Sequence, residues 1–159
     1  TLGVLKLDGW EKLIRYSVTP AYAGGATGTT LISLTSVANR TVITRDSTGA
    51  TSYLAGKGSC LAASPFTCTD ACTTADQCAA AVVFSHGKER FGTMDGGTAN
   101  PVSSATSLDE ITNDTGLTQF FSRTLNDNTG TSGGEFDDLM TWIPTYTIVN
   151  RLVAAGKLP

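Results

Sequence analysis

The stretch Gly133-Gly134-Glu135-Phe136-Asp137-Asp138-Leu139-Met140-Thr141-Trp142 sets three carboxylates within four residues of a chain in which charged residues make up only 16%. Three kinds of chemistry use such a cluster. Glu135 and Asp138 could act as the acid and base of a secreted hydrolase or line a carbohydrate-binding surface, although glycosidase carboxylates normally come from separate elements that flank the scissile bond. The same acids suit calcium, a hard cation that takes about six to eight oxygen ligands. They also suit a solvated acidic turn before a strand. The EF-hand pattern fails, because with Gly130 in its sixth position the first and third fall on Leu125 and Asp127 and the twelfth on Phe136. Any calcium site here is of another kind.

Ser85-His86 offers a second route to hydrolysis, since a serine nucleophile needs a base and histidine is the usual one. Neighbouring residues on a strand point to opposite faces, however, and no G-x-S-x-G elbow surrounds this serine. His86, the only histidine, therefore reads as part of a turn. Asn39-Arg40-Thr41 and Asn113-Asp114-Thr115 match the N-glycosylation triplet, a motif too short to carry weight in a Thr-rich chain.

Cys60, Cys68, Cys72 and Cys78 fall within nineteen residues and read as two disulfides formed in an oxidising compartment. A zinc site would want a C-x-x-C pair, which is missing, and a histidine nearer than His86. The preferred connectivity is nested, Cys60 with Cys78 and Cys68 with Cys72. Cys60 follows one strand candidate and Cys78 precedes another, so a hairpin would bring these ends together.

The elements that must position these groups are mostly strands. "LIRYSVTPAY" alternates, with Ile14, Tyr16 and Val18 on one face, until Pro20 stops the ladder. "TTLISLTS" resumes β-type residues, and "RTVITRDSTGATSYLAG" reads as a hairpin turning at Asp46-Ser47-Thr48-Gly49. "CAAAVVFSHG" is a buried strand, "DLMTWI" another, and "TYTIVNRLVAAGKLP" a short helix with Ile148, Val149, Leu152 and Val153 as its apolar face and Gly156 at its C-terminal cap. Residues 92–134 form a long excursion, expected to hold partial helix near Leu117 to Phe121 or anchorage by an ion. With 159 residues the chain is long enough for one core, so residues 1–159 read as one α+β domain with an antiparallel sheet.

With a net charge of −3 and scattered basic residues, nothing recommends a nucleic-acid partner. No window approaches the roughly 18 apolar residues of a membrane helix. The start at Thr1 is expected to reflect processing or truncation.

Three segments together resemble the globular domain of type IV pilin-like proteins, which include pilins, minor pilins and type II secretion pseudopilins. "LDGWEKLIRYSV" is similar to the family's D-x-W-G-N-x-x-x-Y entry to the first strand through Asp8, Trp10 and Tyr16, with Glu11-Lys12 where the family usually has Gly-Asn. "VVFSHGKERFG" is similar to its S-x-G-x-(D/N)-G corner, and "GGEFDDLMTW" to the G-G-E-x-x-D-D-I-x-x-W segment of major pseudopilins. The resemblance implies a pilin-like sheet on which an N-terminal helix, truncated here, would pack. It implies a non-enzymatic filament subunit, held in the inner membrane through that helix and then exposed in the periplasm or at the cell surface. Its partners would be other pilin or pseudopilin subunits and a surface or secreted-protein ligand. Calcium is the implied ion, with Asp138 the best candidate ligand and Glu135 and Glu89 weaker ones.

Overall fold

A computed structural model describes residues 6–23, 32–56, 58–61, 67–70, 72, 77–88, 91–97, 106–116 and 118–158. The strands are β1 (Arg15–Val18), β2 (Thr41–Arg45), β3 (Thr51–Ala55), β4 (Gly58–Leu61), β5 (Thr67–Asp70), β6 (Ala79–Ser85), β7 (Gln119–Phe121) and β8 (Leu139–Pro144). The helices are α1 (Leu108–Thr115) and α2 (Thr145–Ala154), with one 3-10 turn at Pro20–Tyr22. The content is mixed α+β.

The strands form two three-stranded sheets, ordered β1-β6-β8 and β3-β2-β7, and a separate β4-β5 hairpin. The first sheet is antiparallel throughout. The second departs from the expected antiparallel arrangement, because β7 pairs with β2 in parallel. Composition cannot signal such a pairing, which is made between segments far apart in the chain. The two sheets touch where Arg40 and Ala79 exchange backbone hydrogen bonds of 3.3 and 2.8 Å.

β6 is the apolar run Ala-Ala-Ala-Val-Val-Phe-Ser, and all its residues but Val83 are buried. A register shift between Ala79 and Ala81 puts Ala79 into the same cluster as Val82 and Phe84, where strict alternation would separate them. Val42 and Phe120 from the other sheet complete this core, with Met140 and Trp142 packed against it. Full burial of a side chain such as Phe120 stabilises by about 1.5–3 kcal/mol. Ala80 faces Tyr22, Ala38 and Cys78, and α2 leans Ile148 on that cluster. Gly156, at φ +64°, ends α2, and the Lys157 N–H reaches back to the Leu152 carbonyl at 2.8 Å.

The hairpin β2–β3 and the strands β6 and β8 stand where the sequence put them. β1 is a strand too, yet Tyr16 is 73% exposed, so its apolar alternation does not mark a buried face. "TTLISLTS" is not a strand among its described residues: Ser33 and Ser36 close a turn in which the Ser36 hydroxyl accepts from the Ser33 N–H at 3.0 Å. Serine side chains have met the backbone there in place of a neighbouring strand. The helix of the long excursion ends at Thr115, before the expected position, and Gln119–Phe121 is extended; Leu117 lies outside the described residues.

The nested disulfide pairing is wrong. Cys72 is bonded to Cys78, with Cα atoms 5.9 Å apart, and this one bond excludes both expected pairs. Cys60 stands opposite Cys68 in the β4–β5 register. The hairpin that brings cysteines together is the local β4–β5, not one joining the ends of the whole segment. No helix among the described residues is long and apolar enough to cross a membrane.

Candidate functional site

The three segments singled out in the sequence meet at the end of β6. Near the N-terminus, Asp8 folds a tight turn by accepting the Trp10 and Lys12 N–H groups on Oδ1 at 2.8 and 2.9 Å. Its Oδ2 accepts from the Ser85 hydroxyl. Burial pushes the Asp8 carboxyl up, but the donors from Ser85, Lys12 and Trp10 outweigh it and hold the group below its ordinary value.

Ser85 Oγ also accepts from the Gly87 N–H at 3.1 Å. A Cβ on Gly87, which sits at φ +60°, would lie 2.3 Å from the Asp137 carbonyl oxygen, so only glycine lets the corner approach the acidic loop.

His86 is fully buried next to Ser85 but turned away from it, as adjacent strand-end residues should be. Its Nε2 lies 3.0 Å from Arg15 Nη1 and its Nδ1 3.3 Å from Asp138 Oδ1. A guanidinium can only donate, so Nε2 is the accepting nitrogen and Nδ1 carries the proton given to Asp138. The geometry is a buried Asp–His pair.

α1 supplies the other half of the site. Its buried residues are Asp109, Glu110 and Asn113, while Leu108 is 52% exposed, so this helix turns polar groups inward. The Asp109 N–H in its first turn finds the Gly133 carbonyl at 3.3 Å. Next along the loop, Gly134 at φ +81° passes so near that a Cβ would lie 1.9 Å from Thr106 O. Asp109 is then held between two arginines, with Arg45 Nη2 2.9 Å from Oδ1 and Arg123 Nε 2.9 Å from Oδ2. The two guanidinium groups lie over Phe121 and Phe136 respectively.

Glu110, Asp137 and Asp138 each bring one carboxylate oxygen within 4.8 Å of the others. Glu110 Oε1 accepts the Asp137 N–H at 2.7 Å. Its Oε2 is buried and accepts no hydrogen bond. Burial, helped by the neighbouring Asp138 and Asp137 charges, pushes the Glu110 carboxyl up to about 8. Lys12, 2% exposed, faces the same cluster: burial lowers its ammonium, while Asp137, Asp8, Asp138 and Glu110 act the other way.

Carboxylate oxygens so grouped, one of them buried and without a hydrogen bond, could hold a hard divalent cation. Of the expected ligands, one lies in this cluster. Asp138 belongs to the cluster, but Glu135 turns to Ser107, whose hydroxyl donates to Oε1 at 2.8 Å, and Glu89 lies outside the described residues. Glu110, Asn113 and Lys12 went unnoticed in the sequence. The signal for the first two was their spacing of three residues on one helix, which puts them on one face.

Compared with protein-family models, curated proteins and solved structures, the chain matches none. Functional readings therefore rest on the chemistry of the site.

Proposed function

We propose that the chain is a structural, non-enzymatic head of a type IV pilin-like subunit, from a pilus or a type II secretion pseudopilus. One observation carries this reading: the three segments that resemble the family are joined to one another by polar bonds and close packing. Asp8 binds Ser85, His86 binds Asp138, and Gly87 abuts Asp137. Residues with hydrolase potential are spent on holding the loop, since Ser85 donates to a carboxylate and both His86 nitrogens are engaged. Glu11 adds support, because it adopts φ +62° at the position where the family usually has glycine. The partners of such a head are other subunits of the filament and a surface or secreted-protein ligand. A calcium-class ion would be held by Glu110, Asp137 and Asp138 and would fasten α1 to the loop. The coding sequence upstream of Thr1 tests the reading: a short basic leader followed by about 20 apolar residues is expected. An ordinary cleaved signal sequence there would overturn it.

A second reading has its own support. Trp10, Glu110, Glu135, Asp137 and Lys88 line a cleft of about 340 Å³. An indole beside the carboxyl groups of Glu110, Glu135 and Asp137 is the composition of a saccharide site, whether for binding or hydrolysis. Reducing-end release from polysaccharides, lost in Glu110→Gln, would favour this reading over the structural one.

A further inference from the structure

Arg40 differs from Arg15, Arg45 and Arg123 in its partners. It is 9% exposed, and its guanidinium donates from Nε to Ser17 Oγ at 2.7 Å, from Nη2 to the Val18 carbonyl at 2.6 Å and from Nη1 to Asn39 Oδ1. All three acceptors are neutral. Arg45 and Arg123 share Asp109, and Arg15 has Asp114 at 2.8 Å, whereas no carboxylate of the described residues is within ion-pair distance of Arg40. Burial alone pulls its guanidinium below the ordinary value, with no acid acting in the other direction. A cation withdrawn from water without a counter-charge is costly, and a guanidinium with three of its five N–H groups in use has two left for an acceptor.

The group opens on a depression of about 420 Å³ lined by Arg15, Tyr16, Ser17, Asn39, Arg40 and Thr118, among others, and by no acidic residue. This is a basic hollow in a chain of net charge −3. Its volume falls in the range of small-ligand sites. Guanidinium, amide and hydroxyl donors converge there, a set that matches the oxygens of a carboxylate or phosphate. Tyr16, 73% exposed on the neighbouring strand β1, offers an aromatic face at the rim.

We propose that the hollow between β1 and the start of β2 is a binding site for an oxyanion, with Arg40 as its charged anchor and Tyr16 as a platform for a ring that carries the anion. An acidic sugar has both parts. The site lies outside the acidic cluster and does not depend on the filament reading.

The test is a titration of the ¹⁵N-labelled chain followed through the arginine Nε–H and backbone amide resonances. The probes are sodium glucuronate, sodium acetate and inorganic phosphate, each against sodium chloride at equal ionic strength. The Arg40 Nε–H and the Tyr16 and Asn39 amides are expected to move along saturable curves, with glucuronate saturating at several-fold lower concentration than acetate. Saturation by phosphate or acetate with no preference for glucuronate would keep the oxyanion site and overturn the ring platform. Movements no larger than those in chloride would overturn the site, leaving Arg40 as a staple between β1 and β2. Arg40→Lys keeps the charge but loses the planar fork, and should weaken binding about tenfold. Because Arg40 also joins two strands, Tyr16→Ala serves as the second variant: it should weaken glucuronate and leave acetate unchanged.

Discussion

Asn113 on α1 and Asp138 at the entry to β8 meet side chain to side chain, Nδ2 to Oδ2, at 2.7 Å. Asn113 Nδ2 also donates to the Phe121 carbonyl at 2.9 Å, and its Oδ1 accepts the Phe121 N–H at 2.6 Å. One fully buried amide thus holds the helix, β7 and the acidic loop together. It also removes Asn113 from consideration as a glycan acceptor in the folded chain.

Replacing Asn113 with Ala removes a donor from a buried carboxylate oxygen and from the Phe121 carbonyl, and an acceptor from the Phe121 N–H. A loss of about 3 kcal/mol is expected in urea denaturation, since each buried polar group left unmatched costs about 1–3 kcal/mol and partial relaxation recovers some of it. Asn113→Asp should cost more at pH 8 than at pH 5, because it sets a second carboxylate against Asp138. Equal losses at both values would mean that the two side chains do not face each other in solution.

The raised Glu110 carboxyl gives the fold a pH dependence of definite sign. In the unfolded chain this group titrates at its ordinary value of 4.5, and in the folded chain at about 8. Between these values the native state holds a proton that the unfolded state has lost, so this contribution is complete below 4.5 and disappears as pH rises through 8. In chelator, unfolding free energy should fall from pH 5 to pH 8, and Glu110→Gln should flatten that fall. A wild-type profile that rises over this range, with the variant parallel to it, would remove Glu110 from the account.

Asp138→Ala separates a metal role from a purely structural one. The variant loses the bonds to His86 and Asn113 whatever the ion content, and each buried donor left unmatched costs about 1–3 kcal/mol. If the cluster binds calcium, the melting temperature should drop further in calcium than in chelator, because only the wild type gains from the ion. Equal drops would rule out the metal.

The residues themselves explain which parts of this arrangement the sequence announces. β6 is readable because seven consecutive small, apolar or hydroxyl-bearing residues between turn signals suit a strand buried on both faces. β8, α2 and the β2–β3 hairpin are readable from period, cap and turn. α1 is not, because pattern reading looks for apolar faces and this helix buries Asp109, Glu110 and Asn113 while leaving Leu108 in solvent. The site was half visible for the same reason. Asp138 was reachable from the GGEFDD stretch, but its partners are Asn113 and His86, whose placement depends on two long-range packing events. Glu135, from the same stretch, accepts instead from the Ser107 hydroxyl.

Glu11 offers a test by improvement. It sits at φ +62° in the turn that Asp8 closes, a conformation costing an L-residue about 1–2 kcal/mol. Glycine adopts it freely but adds chain entropy to the unfolded state, worth about 0.5–1 kcal/mol. Glu11→Gly should therefore raise stability by up to about 1 kcal/mol in thermal or urea unfolding. A clear loss would show that the side chain contributes more than the turn strain costs.

Digestion without reduction should yield one linked peptide pair containing Cys72 and Cys78 and another containing Cys60 and Cys68. The bond between Cys72 and Cys78 spans a sequence separation of only 6, so its effect on unfolded-chain entropy is modest. Replacing both cysteines with Ala should cost about 2–3 kcal/mol by that account. Recovery of Cys60 joined to Cys78 would contradict the β4–β5 register.

The parallel pairing of β2 with β7 has a consequence for how the chain reaches this state. Thr41 receives its partner from Thr118 across 77 residues, and Ser85 finds Asp8 across another 77. Closing loops of that length costs entropy before any contact repays it, and folding rates fall as contacts become more distant in sequence. The β2–β3 hairpin and α2 can form early from neighbouring residues, but neither sheet is complete until most of the chain is available. A ribosome or translocation channel that still holds the C-terminal third therefore holds an open molecule, and its final closure waits on the arrival of α1, β7 and β8.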